Sequence, residues 1–311
     1  MVVFFGSPDF SLPTLERLLR SDYRPALVVT QPDRVSGRGK KLVSTPVKRL
    51  AEENDVPVRA ISSFNDSDIK NDLVGLKPDF FVVVAFGLIF PESVLEMPSR
   101  GCVNLHASLL PSYRGASPIN RAVVNGDSFT GVTTISMEKK VDAGPVYLQE
   151  VVGIDPEETA GELFDRLAGA GASLLIDTLS GIDAGRIEPV PQREEGKSFA
   201  PPLKKIDGLI PWDKDAIKVY NHIRGMNPWP GSFSYFRGKY IKVKDAWPCD
   251  LIKRPCPPGT VLQCSDRLVV SCGKGALEIK KLQIEGRRSL EAEPCLRGFD
   301  MKRGERFRGP E

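Results

Sequence analysis

A doubly wound α/β domain followed by a small β-barrel is the architecture that this sequence of 311 residues predicts. Three observations carry that expectation. The first 180 residues alternate strand-like and helix-like stretches, the pattern of a parallel sheet with crossover helices. Within them DFFVVVAF (79–86) is an unbroken apolar run, as in a strand covered on both faces. The last hundred residues instead hold five short β-type runs separated by Gly and Pro turns.

In chain order, VVFF (2–5) reads as a first strand, stopped by the turn Gly6-Ser7-Pro8 and followed by a helix from Ser11 to Leu19. ALVVT (26–30) and PVKRLAEEND (46–55) repeat the strand and helix. After the buried strand at 79–86, GCVNLHA (101–107) is a short strand running into a loop. A helix near Ala116 to Val124, strands GVTTISM (131–137) and VYLQEVVG (146–153), and an amphipathic helix from Ala160 to Leu179 complete this part. The polar, proline-dotted stretch DAGRIEPVPQREEGKSFAPPLKK (183–205) reads as a linker. The expected division is therefore a first domain over 1–180, a linker over 181–206 and a second domain over 207–311. In the second, DKDAIKVYNHIRG (213–225) is a helix. SFSYF (232–236), YIKVKDAW (240–247), GTVLQC (259–264), RLVVSC (267–272) and ALEIKKLQIEG (276–286) are strands of a barrel of the oligonucleotide-binding type.

Several functional classes fall away. No apolar run approaches the roughly 20 residues that span a bilayer. The start MVVFFGSPDF has neither the basic flank nor the cleavage site of a secretory signal, so the expected address is the cytoplasm. Six cysteines contain no C-x-x-C pair and only two histidines accompany them, so no metal site is expected and the thiols are read as reduced. The first strand ends in one glycine where a dinucleotide fingerprint needs three, and GRGKK lacks the phosphate-loop spacing. Charge is uneven. Residues 201–311 carry 22 Lys and Arg against 13 Asp and Glu, a surplus of nine on a chain whose net charge is +3. A basic module on an acidic body suits a polyanionic partner, nucleic acid first among them; the plain alternative is a solvated basic face.

The chemistry points to His106. In the strand before it alternate side chains share a face, so Asn104 and His106 project together while Leu105 turns inward. Strand carboxyl ends are where doubly wound sheets bind ligands. An amide beside an imidazole can steady a developing oxyanion and manage a proton, the needs of acyl transfer. Asp142, in the turn KKVDAGP (139–145), supplies a carboxylate expected to hold the imidazole's tautomer and favour its protonated form. Taken singly, a histidine near a strand end or an aspartate in a turn is more often structural than catalytic. The joint pattern shifts the balance.

NLHASLLPSYRGASPINRAV (104–123) with KKVDAGP downstream resembles the signature of the folate-dependent formyltransferases. FFGSPDFSLPTLERLL, QPDRVSGRGKKLVSTPVKRLAEE, VVVAFGLIFP and IRGMNPWPGSF extend the resemblance over essentially the full length, closest to the members that act on methionyl-tRNA. It implies a Rossmann-like formyltransferase domain, an OB-like tRNA-binding domain, and transfer of formyl from 10-formyltetrahydrofolate to the α-amino group of methionyl-initiator tRNA, for the initiation of protein synthesis. It places Asn104, His106 and Asp142 as the catalytic set. Ser108, Leu109, Leu110 and Pro111 fall on the folate-contacting stretch, and Phe86, Gly87, Leu88 and Ile89 where main chain lines the pteridine pocket. Phe86 stands for the usual tyrosine, Ser7 for a threonine and Met226 for a leucine; none removes a catalytic atom. Family precedent also implies a monomer.

Residues 34–49 hold Arg34, Arg38, Lys40, Lys41, Lys48 and Arg49 and no acid. Such a cationic loop can enclose an RNA end. The resemblance assigns Arg38, with Lys40 and Lys41, to the tRNA acceptor stem; a solvated charged loop is the alternative. Trp229, Tyr235, Phe236 and Trp247 are divided between base stacking and core packing, with packing favoured, and His222 reads as structural. Rival readings are a formyltransferase for a nucleotide-linked amino sugar, a single-domain ribonucleotide formyltransferase, and a folate-regulated RNA-binding protein without catalysis. The basic loop speaks against the first and the intact Asn, His and Asp against the last.

Overall fold

The computed structural model describes residues 1–36, 41–65, 67–249 and 256–310. They form two compact units. The first comprises Met1–Pro118, Phe129–Gly153 and Phe164–Ala200, and the second Ile119–Ser128, Ile154–Leu163 and Pro201–Glu311.

In the first unit, β1 (Val2–Gly6), β2 (Pro25–Thr30), β3 (Val58–Ala60), β4 (Phe80–Val84), β5 (Cys102–His106), β6 (Phe129–Ser136) and β7 (Val146–Gly153) build one sheet. Its order is β7-β6-β5-β4-β1-β2-β3. The strands from β5 across to β3 run parallel, and β6 and β7 are added antiparallel. Val- and Phe-rich β1 and β4 are buried at every position. Strands covered on both faces have no use for polar alternation, which explains the continuous apolar runs. Helices α1 (Leu12–Leu19), α2 (Pro46–Glu53), α3 (Ser67–Leu76) and α4 (Glu92–Leu95) lie between the first five strands along the chain. α2 starts on Thr45, whose Oγ1 accepts from Lys48 N at 3.1 Å, with Pro46 already at a helical φ. α5 (Pro118–Asn125) belongs but for Pro118 to the second unit, and the long α6 (Ala160–Asp183), most of it in the first, closes this series. It lies so near β5 that a Cβ on Gly171 would stand 2.6 Å from Leu105. Leu105 therefore faces α6, which leaves Asn104 and His106 on the opposite side of the strand.

The second unit carries α7 (Ala216–Gly225), strands β8 (Ser232–Phe236), β9 (Lys239–Cys249), β10 (Val261–Gln263), β11 (Leu268–Ser271), β12 (Ala276–Ile284) and β13 (Leu290–Glu291), then α8 (Ala292–Gly298) and β14 (Phe307–Arg308). The order is β10-β11-β12-β9-β8-β14, with β13 on β12, and every pairing is antiparallel. A bridge between Thr260 and Arg306, with Val261 N donating to Glu305 O and Phe307 N to Gly259 O at 2.8 Å each, joins the first strand to the last. This bridge links the two ends of the strand order, so the antiparallel sheet curls into the expected small barrel. Phe236, Ile241, Val243, Leu277, Ile279 and Phe307 fill it, together with Val219 and Ile223 of α7.

Several elements went unread in the sequence, α4, β13 and β14 among them. α3 is built from the polar stretch SDIKNDLVGL, whose apolar residues mark a face only weakly. β3 has three residues, two of them exposed. The antiparallel pair Arg34–Ser36 and Lys41–Val43 lies within the basic loop, and α8 holds a proline.

Candidate active site

β5 ends at His106, which is 6% exposed, two residues after half-buried Asn104. The His106 ring stands between two acceptors. Nε2 lies 3.0 Å from the carbonyl oxygen of Tyr113, and a carbonyl only accepts, so Nε2 carries a hydrogen. Nδ1 lies 3.6 Å from Asp142 Oδ2, with side-chain exposures of 7% and 13%. In the protonated imidazole both N–H groups face oxygen. Removing two charges from water offsets most of their mutual attraction, so a buried pair of this kind is a weak stabiliser and fits a chemical role better. The Asn104 amide has no hydrogen-bond partner among the described residues, which leaves it available to a ligand.

Asp142 sits in the turn between β6 and β7 with φ at 50°, in the left-handed region. Ala143 N donates to Lys140 O at 3.2 Å, and Gly115 N donates to Asp142 Oδ2 at 2.8 Å. Gly144 is required: a Cβ there would overlap the carbonyl oxygen of Ser136. The structure thus brings together an imidazole and a carboxylate separated by 35 residues of chain.

Two hydroxyls hold the loop after β5, those of Thr133 and Ser108. Thr133 Oγ1, on β6, donates to Ser108 O at 2.6 Å and accepts from Leu110 N at 3.2 Å and Gln149 Nε2 at 2.9 Å. Gln149 also donates to Leu110 O at 2.9 Å, and Ser108 Oγ to Ser112 O at 2.6 Å. The Leu110-Pro111 bond is cis. Ser108 and Leu110 are buried and build the loop, whereas Leu109 and Pro111 are half-buried. In the stretch after β4, Phe86 is buried and its carbonyl accepts from Gln31 Nε2 at 2.7 Å. Gly87 is left-handed (φ 80°), Leu88 half-buried and Ile89 76% exposed.

Of the residues expected to meet RNA, Arg38 and Lys40 lie outside the described residues. Lys41 opens the second strand of the hairpin, and its side chain lies outside them too. Lys48 is paired with Asp33 at 3.0 Å, a contact that raises its pKa. Among the described residues no group of three or more His, Cys, Asp or Glu is placed to hold a metal ion, and no helix is long and apolar enough to cross a membrane.

Sequence reading missed Thr133, Gln149, Tyr113, Gly115 and Gln192. Two adjacent threonines in an otherwise apolar strand were the visible signal for the first. Gln192, described below, gave none.

Asn104 and His106 share one face at the end of β5, with Asp142 beside the imidazole, and these are the kinds of group that transfer at a carbonyl carbon uses. The profile of the formyl transferase family matches residues 1–179, and that of the formyl transferase C-terminal domain matches residues 202–300. The chain belongs to the formyl transferase family. It is 46% identical over 307 residues to a methionyl-tRNA formyltransferase of Moorella thermoacetica, covering 98% of each chain. It is 44% identical to that of Pelotomaculum thermopropionicum, covering 97% of each. Among solved structures, the N-formyltransferase of Helicobacter canadensis in complex with folinic acid and dTDP-3-aminofucose superposes with a TM-score of 0.68 at 17% identity, over 89% of this chain and 98% of that one. HypX of Aquifex aeolicus in complex with tetrahydrofolic acid superposes with a TM-score of 0.60 at 18% identity, over 95% of this chain and 46% of that one. These two likenesses speak for the fold.

Proposed function

We propose that this chain transfers the formyl group of 10-formyltetrahydrofolate to the α-amino group of methionyl-initiator tRNA, for the initiation of protein synthesis. The observation that carries this reading is the 46% identity to a methionyl-tRNA formyltransferase along nearly the whole of both chains. Residues 1–180 supply the chemistry and residues 207–311, with their surplus of positive charge, hold the tRNA body. Arg38, Lys40 and Lys41 approach its acceptor end. The protein works in the cytoplasm as a monomer.

The donor fits what the residues offer. Half-buried Leu88, Leu109 and Pro111 and exposed Ile89 are apolar surface for a flat ring, and the left-handed turn at Gly87 presents main chain to its edges. Formyltetrahydrofolate supplies a formyl carbon on nitrogen. The α-amine of the aminoacyl ester has a reference pKa of about 8, so a usable fraction is neutral near pH 7. It attacks the formyl carbon, and the carbonyl oxygen gathers negative charge as the new C–N bond forms. Asn104 donates a hydrogen bond to that oxygen and the protonated His106 lends it positive charge. Asp142 holds the imidazole and helps carry away the amine proton. As the bond from the formyl carbon to the folate nitrogen breaks, a proton returns to that nitrogen, so formylated amine and tetrahydrofolate balance the reagents. Donors of this kind contribute about 10²–10³ each and acid–base assistance about 10²–10⁴.

The test is formyl transfer by the purified chain to charged initiator tRNA, to a nucleotide-linked amino sugar and to uncharged tRNA. Only the first is expected to react. His106→Ala, Asn104→Ala and Asp142→Ala should each lower turnover by at least about 10²-fold with folding retained. Transfer to the sugar instead would sink the proposed substrate, and near-normal turnover in any variant would remove that residue from the mechanism.

A further inference from the structure

We infer that Gln192 is a positioning residue for the transfer: it holds the Asp142 turn in register with His106. The inference rests on the function proposed above and extends it to a residue fifty positions beyond Asp142, in a stretch that reads as linker.

Gln192 is half-buried and uses every valence of its amide. Nε2 donates to Asp142 O at 2.9 Å and to Gly144 O at 2.7 Å, so it grips the turn on both sides of Ala143. Oε1 accepts from Arg114 Nε at 3.1 Å and Nη2 at 2.6 Å. Arg114 is 3% exposed and directly precedes Gly115, whose N–H binds the Asp142 carboxylate. One side chain therefore couples the carboxylate's turn to the segment Arg114–Gly115, whose Gly115 N donates to that carboxylate.

The strap that carries Gln192 is itself fixed. Val190 and Val146 exchange two backbone hydrogen bonds at 2.8 Å, and Ser198 accepts from Arg114 N and, through Oγ, from Tyr113 N at 2.9 Å each. Phe199 and Ala200 pair with Arg114 and Gly115. Since Tyr113 O holds His106 and Gly115 N holds Asp142, the strap bears on both partners of the ion pair without touching either side chain. A hydrogen-bonded amide of this sort fixes geometry rather than charge, and a misplacement near 1 Å at a reacting centre costs roughly 10²-fold in rate.

Gln192→Glu separates this role from plain stability. The carboxylate keeps two oxygens for Arg114, whose Nη1 is buried without a hydrogen-bond partner, so the strap stays anchored. It replaces the donating NH₂ by an oxygen that repels the carbonyls of Asp142 and Gly144. Thermal stability should fall only modestly, because the ion pair with Arg114 offsets the two carbonyls left without a donor. Transfer from 10-formyltetrahydrofolate to methionyl-tRNA should lose roughly 10²-fold in kcat, with both KM values within about twofold. In an Asp142→Asn background the same change should cost almost nothing more, because two groups acting through one another are not additive. Hydrogen exchange at Gly115 and Ala143 should quicken about tenfold or more while the sheet amides are unchanged.

Unchanged kcat, an equal loss in the Asp142→Asn background, or unchanged exchange would each overturn the inference. Failure of the unaltered chain to formylate methionyl-tRNA would sink the proposed function. The exchange measurement still decides whether Gln192 holds the turn.

Discussion

His106 and His222 are the two histidines of the chain, and the fold treats them in opposite ways. His106 is given an acceptor at each ring nitrogen. His222, on α7, is 8% exposed with Nε2 unpartnered, and burial drags its pKa down to about 4 despite a backbone hydrogen bond at Gly208. Its reading as structural agrees with that position. The consequence is an acid sensitivity with a definite sign. The unfolded chain protonates this imidazole near the ordinary value of 6.5, while the folded chain resists until about 4. Stability from this group is complete above pH 6.5 and drains away as pH falls toward 4, by roughly 2 kcal/mol at pH 5. Urea unfolding at pH 7.5 and pH 5 should reveal the loss, and His222→Gln should shrink the difference by about that amount. An identical pH difference in the variant would mean that other groups carry the acid response.

At the scale of elements, β6 matters most to the site, because an antiparallel strand beside β5 brings one hydroxyl against the loop that β5 feeds. Thr133→Val keeps the shape and removes Oγ1, leaving Ser108 O, Leu110 N and one bond of Gln149 Nε2 unmet. Stranded buried polar groups cost about 1–3 kcal/mol each. The loop should loosen, and the KM for 10-formyltetrahydrofolate should rise about tenfold or more while that for methionyl-tRNA holds. Equal change in both would show that Thr133 serves general stability. Strand legibility followed the same logic of burial. β1 and β4 were plain as apolar runs buried on both faces. The exposed three-residue β3 and the polar α3 draw their stability from neighbours, which leaves little imprint on composition.

For the whole molecule, distance along the chain decided what the sequence could tell. Asn104 and His106 declare themselves because strand periodicity alone sets them side by side. Asp142 is recognisable as a carboxylate in a turn, but its approach to His106 depends on the sheet order that sets β6 next to β5. Gln192 lies in PVPQREEGKS, whose composition is that of a linker; only its hydrogen bonds give it a place. Charge is the remaining long-range property. On the proposed function the basic residues of 34–49 and the surplus over 201–311 are the groups to meet phosphates, and phosphate contacts release counterions. If Arg38, Lys40 and Lys41 each neutralise one phosphate, raising salt from 50 to 200 mM should weaken methionyl-tRNA binding roughly 30-fold, more with every contact from the second domain. The KM for 10-formyltetrahydrofolate should respond weakly over the same range. Arg38→Leu should lower the slope of log K against log salt by about one and leave the folate KM in place. A slope equal to that of the unaltered chain would remove Arg38 from the RNA contact, and a flat response in both would deny the basic loop any part in choosing the substrate.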